Sequence, residues 1–228
     1  MKNTTNEPFS NHPENSIDLH NKRIDFSAPL GTVKSSRLVF ASEASGLHLT
    51  SDPTMSYLYQ AYFRRTVPRI WLRENIVTVE YGRAPRVDKM AGHNNPLAEI
   101  SMNGLIPWEI EFRHGVSFLN AELATVQLSA LDILGGANQI RLLLSKPSDT
   151  TFIYISGGIR QGVIQIPPDT ACRVLIRGGA THMRFEDQRI EADGGETNLE
   201  TPNFEDTTQR YDICIAGGVS GFSIDRKR

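Results

Sequence analysis

From Leu38 onward the chain alternates short apolar stretches with polar breaks: RLVFAS, LHLTS, SYLYQAYF, RIWLR and NIVTVEY. β-Branched and aromatic residues dominate these stretches, and Gly, Pro and Ser-Asp steps separate them, so they predict strands. Past residue 105 the alternation becomes periodic. Gly-Gly pairs stand at 135–136, 157–158, 178–179 and 217–218, and His114–Gly115 holds the same place one unit earlier. The second glycines step by 21, 22 and 21 residues, and a last step of 39 is one unit plus an insertion.

Positions four, six and eight after the second glycine read Leu119, Ala121, Leu123, then Ile140, Leu142, Leu144, then Gly162, Ile164, Ile166. Met183 and Phe185 continue them, followed by Phe222 and Ile224. Before the first glycine the same spacing gives Trp108, Ile110, Phe112, then Leu131, Ile133, then Ile153, Ile155. Cys172, Val174, Ile176 and Tyr211, Ile213, Ile215 complete that series. The positions between carry Glu109, Glu111, Arg113, Arg141, Gln165, Arg173, Arg177 and Asp212. A period of two sends every second side chain to one face, so each unit predicts two strands with one buried face apiece.

Proline turns (Ile106-Pro107, Lys146-Pro147-Ser148-Asp149, Pro167-Pro168-Asp169-Thr170) separate the units. Glycine at the opposite corner is expected to supply positive φ and let backbones approach closely. The recurrence predicts an all-β fold, a stacked β-solenoid (β-helix-like) of about 21-residue coils turning at Gly-Gly and Pro-x-Asp corners. Ile133, Ile155, Ile176 and Ile215 would then form one file. An antiparallel meander gives the same two-strand period; a propeller requires odd and even units to differ, and they do not. Residues 1–27, rich in Asn, Ser, Thr, Pro and His, are expected to be a flexible N-terminal tail. Residues 28–104 form the strand-rich opening half of the solenoid, and 105–228 its regular half with an acidic insertion at 186–209.

The strings GGANQIRLLL, IPPDTACRVLIRGGATHMRF and TPNFEDTTQRYDICIAGGVSGFSID resemble the β-solenoid C-terminal domains of cell-wall-active antibiotic response (LiaF-type) proteins. They are also similar to related putative-adhesin domains of unknown function from bacteria. The shared pattern is a hydrophobic-Pro-x-Asp/Gly turn, a strand, a Gly-Gly step and a second alternating strand. It covers roughly residues 105–228 and, more faintly, 36–104. The resemblance implies a non-catalytic solenoid, tied to envelope-stress regulation in LiaF-type members, and it brings no catalytic residues. The membrane helices of LiaF-type proteins have no counterpart in this sequence.

Composition narrows the chemistry. The 228 residues carry 24 Lys+Arg and 26 Asp+Glu, a net charge of −2, which gives no reason to expect polyanion binding by the molecule as a whole. At 39% hydrophobic the chain has the composition of a globular domain. Cys172 and Cys214 make no disulfide framework and no C-x-x-C zinc pair. No apolar run reaches the length of a spanning helix and the first residues have no apolar core, so a cytoplasmic location is expected. The six histidines are scattered without ligand spacing, and Gly-Val-Ser-Gly at 218–221 has the wrong spacing for a nucleophile elbow. The expectation is therefore no catalytic, cofactor or metal site.

Three constellations remain. Glu109, Glu111, Asp132, Arg173 and Arg177 lie on outward positions, with Glu111 and Asp132 placed to stack on adjacent coils, as a carbohydrate-active β-helix enzyme would need. Leu134, Phe152, Tyr154, Leu175 and Cys214 also point outward, where a solvated strand would not place them. They predict either cover by another segment or a partner surface. Arg64, Arg65 and Arg69, with Arg73, Arg83, Arg86 and Lys89, interleave with Tyr57, Tyr59, Tyr62, Phe63, Trp71 and Tyr81. That mixture fits weak nucleic-acid binding through 57–89, and equally strands with rings inward and arginines outward. The insertion 186–209 holds eight acids and one Arg without calcium-loop spacing, and reads as a solvated or recognition loop. The favoured function is a non-enzymatic interaction or scaffold module, with a protein partner or self-association through open strand edges.

Overall fold

The computed structural model describes residues 14–18, 23–64, 66–82 and 97–227. The described residues hold twenty strands and no helix, hence no helix long and apolar enough to cross a membrane. The first ten are β1 (Glu14–Asp18), β2 (Arg23–Pro29), β3 (Ser36–Phe40), β4 (Ala44–Asp52), β5 (Tyr57–Arg64), β6 (Arg69–Arg73), β7 (Ile76–Glu80), β8 (Ala98–Asn103), β9 (Trp108–Phe112) and β10 (Val116–Leu123). Then follow β11 (Leu128–Ile133), β12 (Ala137–Leu144), β13 (Thr151–Ile155), β14 (Ile159–Ile166), β15 (Ala171–Ile176) and β16 (Ala180–Phe185). The last are β17 (Gln188–Asp193), β18 (Thr197–Glu200), β19 (Arg210–Ile215) and β20 (Val219–Arg226).

These strands make two mixed sheets, neither closed into a barrel. One has eleven strands in the order β1-β2-β5-β8-β4-β10-β12-β14-β20-β16-β17, the other nine in the order β18-β15-β19-β13-β11-β9-β3-β7-β6. Each Gly-Gly corner carries the chain from the nine-stranded sheet to the eleven-stranded one, as from β11 to β12 and from β13 to β14. Equivalent residues of neighbouring units pair in parallel, not antiparallel: Leu119 with Ile140, Ile140 with Gly162, Gly162 with Phe222. Inward side chains of both sheets merge into one apolar core.

The order of units in space is not their order in the chain. Ile133 pairs with Ile155 and Ile155 with Ile215, and only then does Ile215 pair with Ile176. The last unit, β19 and β20, is thus inserted between its two predecessors. A similar skip occurs at the other end, where β7 and β8 lie outside β3 and β4 before the chain crosses to β9. Both halves, 28–104 and 105–228, contribute to both sheets.

Glycine is needed at the corners for a reason other than the expected positive φ. Among the corner pairs only Gly179 has it, at 83°. What the others provide is contact. Gly157 N–H donates to Gly135 O at 2.9 Å and Gly217 N–H to Gly157 O at 3.0 Å. A Cβ on Gly157 would sit 2.6 Å from Gly135 O, and one on Gly217 2.5 Å from Gly157 C. Backbone stacks directly on backbone here. Positive φ recurs instead three residues later, at Phe118 (54°), Gln139 (53°), Gln161 (57°), His182 (49°) and Gly221 (64°), bending each strand at the same height.

The segment read as a flexible tail, 1–27, contains β1 and the larger part of β2, which runs on to Pro29. β2 pairs antiparallel with β5, and Phe26 and Ala28 join the core. Two apolar residues one step apart suffice once an existing edge supplies the hydrogen bonds. The insertion read as a loop likewise contributes two strands. β17 pairs antiparallel with β16 and β18 with β15, so the acidic segment closes both sheets at that end. Charged strands at an edge oppose further pairing.

Candidate functional site

The outer face of the nine-stranded sheet is built by the same alternation that builds the core. Along β13, Thr151, Ile153 and Ile155 turn inward, while Phe152 is 58% and Tyr154 37% exposed. Parallel register sets Tyr154 between Asp132 and Cys214, and Cys214 beside Leu175. Antiparallel β18 brings Asn198 next to Leu175. Phe152 lies between Ala130 and Asp212 in the adjoining row. Leu134, two residues beyond Asp132, is 45% exposed. Phe152, Tyr154, Arg173, Leu175, Asp212 and Cys214 line a shallow depression of about 470 Å³.

Leu134, Phe152, Tyr154 and Leu175 are thus gathered on one surface. Exposure of the first three shows that no described segment covers them. The arginines are elsewhere. Arg64 lies on β5 in the eleven-stranded sheet and pairs with Glu99 at 3.2 Å, whereas exposed Arg69 is on β6 at the far edge of the other sheet. Arg65, Arg83, Arg86 and Lys89 fall outside the described residues. Of the rings interleaved with those arginines, Tyr59, Phe63 and Tyr81 are core side chains, while Tyr57, Tyr62 and Trp71 are partly buried.

Charge is distributed unevenly over the face. Glu111 is buried and doubly held: Arg37 Nη2 donates to its Oε2, and Arg113 Nε to its Oε1 at 3.0 Å. Asp212 takes Arg173 Nε at 3.2 Å and Nη2 at 2.6 Å. The Arg173 and Arg210 guanidiniums each sit over the buried Phe204 ring, at 4.4 and 4.3 Å from its centre, pinning the 201–209 return to the sheet. Asp132 makes no hydrogen bond or ion pair among the described residues. Partial burial, and then the neighbouring Glu111 charge, push its carboxyl above the usual range.

Asp132 and Glu111 are register partners, as the spacing anticipated. Both Glu111 oxygens are occupied by arginines, which leaves the pair without a second free carboxylate. Asn198 escaped sequence reasoning because antiparallel β18 lies outside the repeat. Asp212 was visible only as an outward charge, since its place beside Phe152 depends on the inserted last unit. No group of three or more His, Cys, Asp or Glu able to hold a metal occurs among the described residues.

The two cysteines differ sharply. Burial pushes the Cys172 thiol up to about 12, while Cys214 is partly exposed on the apolar face. Native-state iodoacetamide labelling, read by peptide mass spectrometry, is therefore expected to modify Cys214 and spare Cys172. Modification of Cys172 at a comparable rate would contradict this packing.

Among solved structures the chain is similar to one named a putative cell adhesion protein, from Clostridium sporogenes. The two share 16% identity with a TM-score of 0.61, over 95% of this chain and 100% of that one. The likeness is one of fold. A putative adhesin from Bacteroides fragilis aligns over 90% of this chain and 96% of that one, at 7% identity and a TM-score of 0.25, too low for a shared fold. No family model matches the chain, and no curated protein matches it.

Proposed function

We propose that the chain is a β-solenoid that works as a non-enzymatic interaction module, docking a protein partner on the outer face of its nine-stranded sheet. The observation that carries this reading is the exposure of Phe152 and Tyr154 side by side on one face of β13, with Leu134 exposed just past the end of the neighbouring β11. Apolar side chains so placed cost solubility and contribute nothing to the core, so a partner surface is their natural use. Parallel stacking of successive units supports the solenoid. The arginine-locked Glu111 favours binding over acid–base chemistry. The fold likeness to a protein named a putative cell adhesion protein supports an interaction role, and the motif strings that resemble LiaF-type and adhesin-like domains accord with a link to envelope stress. Self-association by edge pairing is the weaker form, because β17 and β18 present charged edges.

A photo-crosslinking residue at position 152, compared with one at Gln165 on the other sheet, tests the reading in extract from the source organism. A discrete adduct identified by mass spectrometry from position 152 alone is expected. Equal labelling from both positions, or none from 152, would overturn it.

A further inference from the structure

Three regions of the molecule bear on further chemistry. In the polar depression around Arg141, Arg184, Glu186, Asp225 and Arg226, Arg184 pairs with Asp225 at 2.8 Å and Arg226 with Glu186, while Arg141 Nη2 donates to Gln165 Oε1 at 3.2 Å, so its guanidiniums are already engaged. The corner ladder of Phe118, Asn138, Gln139, Arg160 and Gln161 is a shallow row of amides without a convergent group. The apolar face is different, because an unmet charge borders it.

Asp132 lies in the middle of this border. Along its own strand it is flanked by Ala130 and Leu134; across the ladder it faces Glu111 on one side and Tyr154 on the other. Glu111 is already matched by Arg37 and Arg113. Glu109, half-exposed, has Arg37 Nε at 3.7 Å. Three carboxylates therefore share two guanidiniums, and the carboxylate left over is the one beside the exposed rings. A carboxylate in that position lacks part of the hydration it would have on an open strand, and Arg37, already engaged by Glu109 and Glu111, acts on it only from beyond ion-pair distance. A guanidinium or ammonium entering over the Tyr154 ring would meet the ring's negative face and the Asp132 oxygens together. The molecule already uses this geometry internally, where Arg173 lies over Phe204 while pairing with Asp212.

We propose that this face binds a polypeptide segment carrying an arginine or lysine flanked by apolar side chains, the cation seated between Asp132 and Tyr154 and the apolar residues on Phe152, Cys214 and Leu175. The proposal rests on the docking-face reading and adds the partner's chemistry. Complementarity argues for it on both counts: the face presents apolar area and one carboxylate in excess, and such a segment presents apolar area and one cation. Asp132 makes no hydrogen bond or ion pair among the described residues, so Asp132→Asn breaks no contact within the chain and the variant isolates binding.

The test is selection of a phage-displayed dodecapeptide library on the full chain, with subtraction on the Phe152→Ser variant. Enriched peptides are expected to hold Arg or Lys next to apolar residues. A synthesised winner should bind Asp132→Asn about fivefold more weakly than wild type. Exchanging its arginine for citrulline should cost the same factor on wild type and almost nothing on Asp132→Asn, the signature of a direct pair. Phe152-dependent peptides that carry no cation, or that ignore citrulline exchange, would overturn the cation assignment while leaving the docking face standing. Phe152-dependent binding of a glycan on an array, with no such peptide found, would overturn the polypeptide assignment. Absence of any Phe152-dependent binder would overturn the docking face itself.

Discussion

Gly217→Ala is expected to lower the unfolding free energy by about 3 kcal/mol, whereas Gly221→Ala, four residues on, should cost about 1 kcal/mol. The two glycines answer to different physics. Gly217 has no positive φ, but an added Cβ would stand 2.5 Å from both Gly157 C and Gly158 N. Those are backbone atoms of the neighbouring unit, so no side chain can move aside. Relief requires prying apart the stack where Gly217 N–H bonds to Gly157 O. Gly221 has a φ of 64° and open space, with nothing nearer to an added Cβ than Gln161 Cγ at 3.8 Å. Only the left-handed strain is charged there, and Gln161 bears that strain at the equivalent place. Denaturant unfolding of both variants, with unchanged m, measures the difference. Equal costs would mean that the corners are chosen for conformation and not for contact.

Asn103→Leu should cost about 3 kcal/mol, although the two side chains share the same branched skeleton of heavy atoms. Asn103 is fully buried at the end of β8. Its Nδ2 donates to Met55 O at 2.9 Å and Tyr57 O at 2.8 Å, and its Oδ1 accepts from Leu105 N–H at 2.9 Å. One side chain thereby satisfies three backbone groups in two turns. Leucine leaves all three without partners, at about 1 kcal/mol or more each. Asn103→Asp provides a sharper check. It keeps the acceptor for Leu105 but faces two carbonyls with a carboxylate, so its folded-state pKa must rise. A raised carboxyl destabilises the native state at high pH, and that penalty is relieved as the group protonates. The Asn103→Asp variant should therefore be more stable relative to wild type at pH 5 than at pH 8. A pH-independent difference would refute the assigned hydrogen bonds.

Much of the candidate site is legible in the sequence. Phe152, Tyr154, Leu175 and Leu134 stand at offsets where alternation demands polar residues, and that conflict with the local rule is what marks them. Less legible was the company they keep. Asn198 reaches the face on an antiparallel strand that belongs to no repeat, and Arg64 and Arg69, only five residues apart in sequence, part to different sheets. A chain reversal of that kind has no period to betray it. The strands β17 and β18 were hidden for a related reason: their exposed edges carry charge, so composition imitates a loop.

Within the repeat, alternation with period two determined which residues are strands, which side of each is buried and where the chain turns, because pleating forces successive side chains to opposite faces. The identity of each strand's neighbour was settled only in three dimensions. Units with like inward faces and the same register can stack in any sequence, and their local pattern is indifferent to which lies next. Packing breaks the tie. Gly162 is hemmed in by Ile159 and the Phe222 ring, and Phe222 belongs to the unit that arrives last in the chain and slots in ahead of Met183.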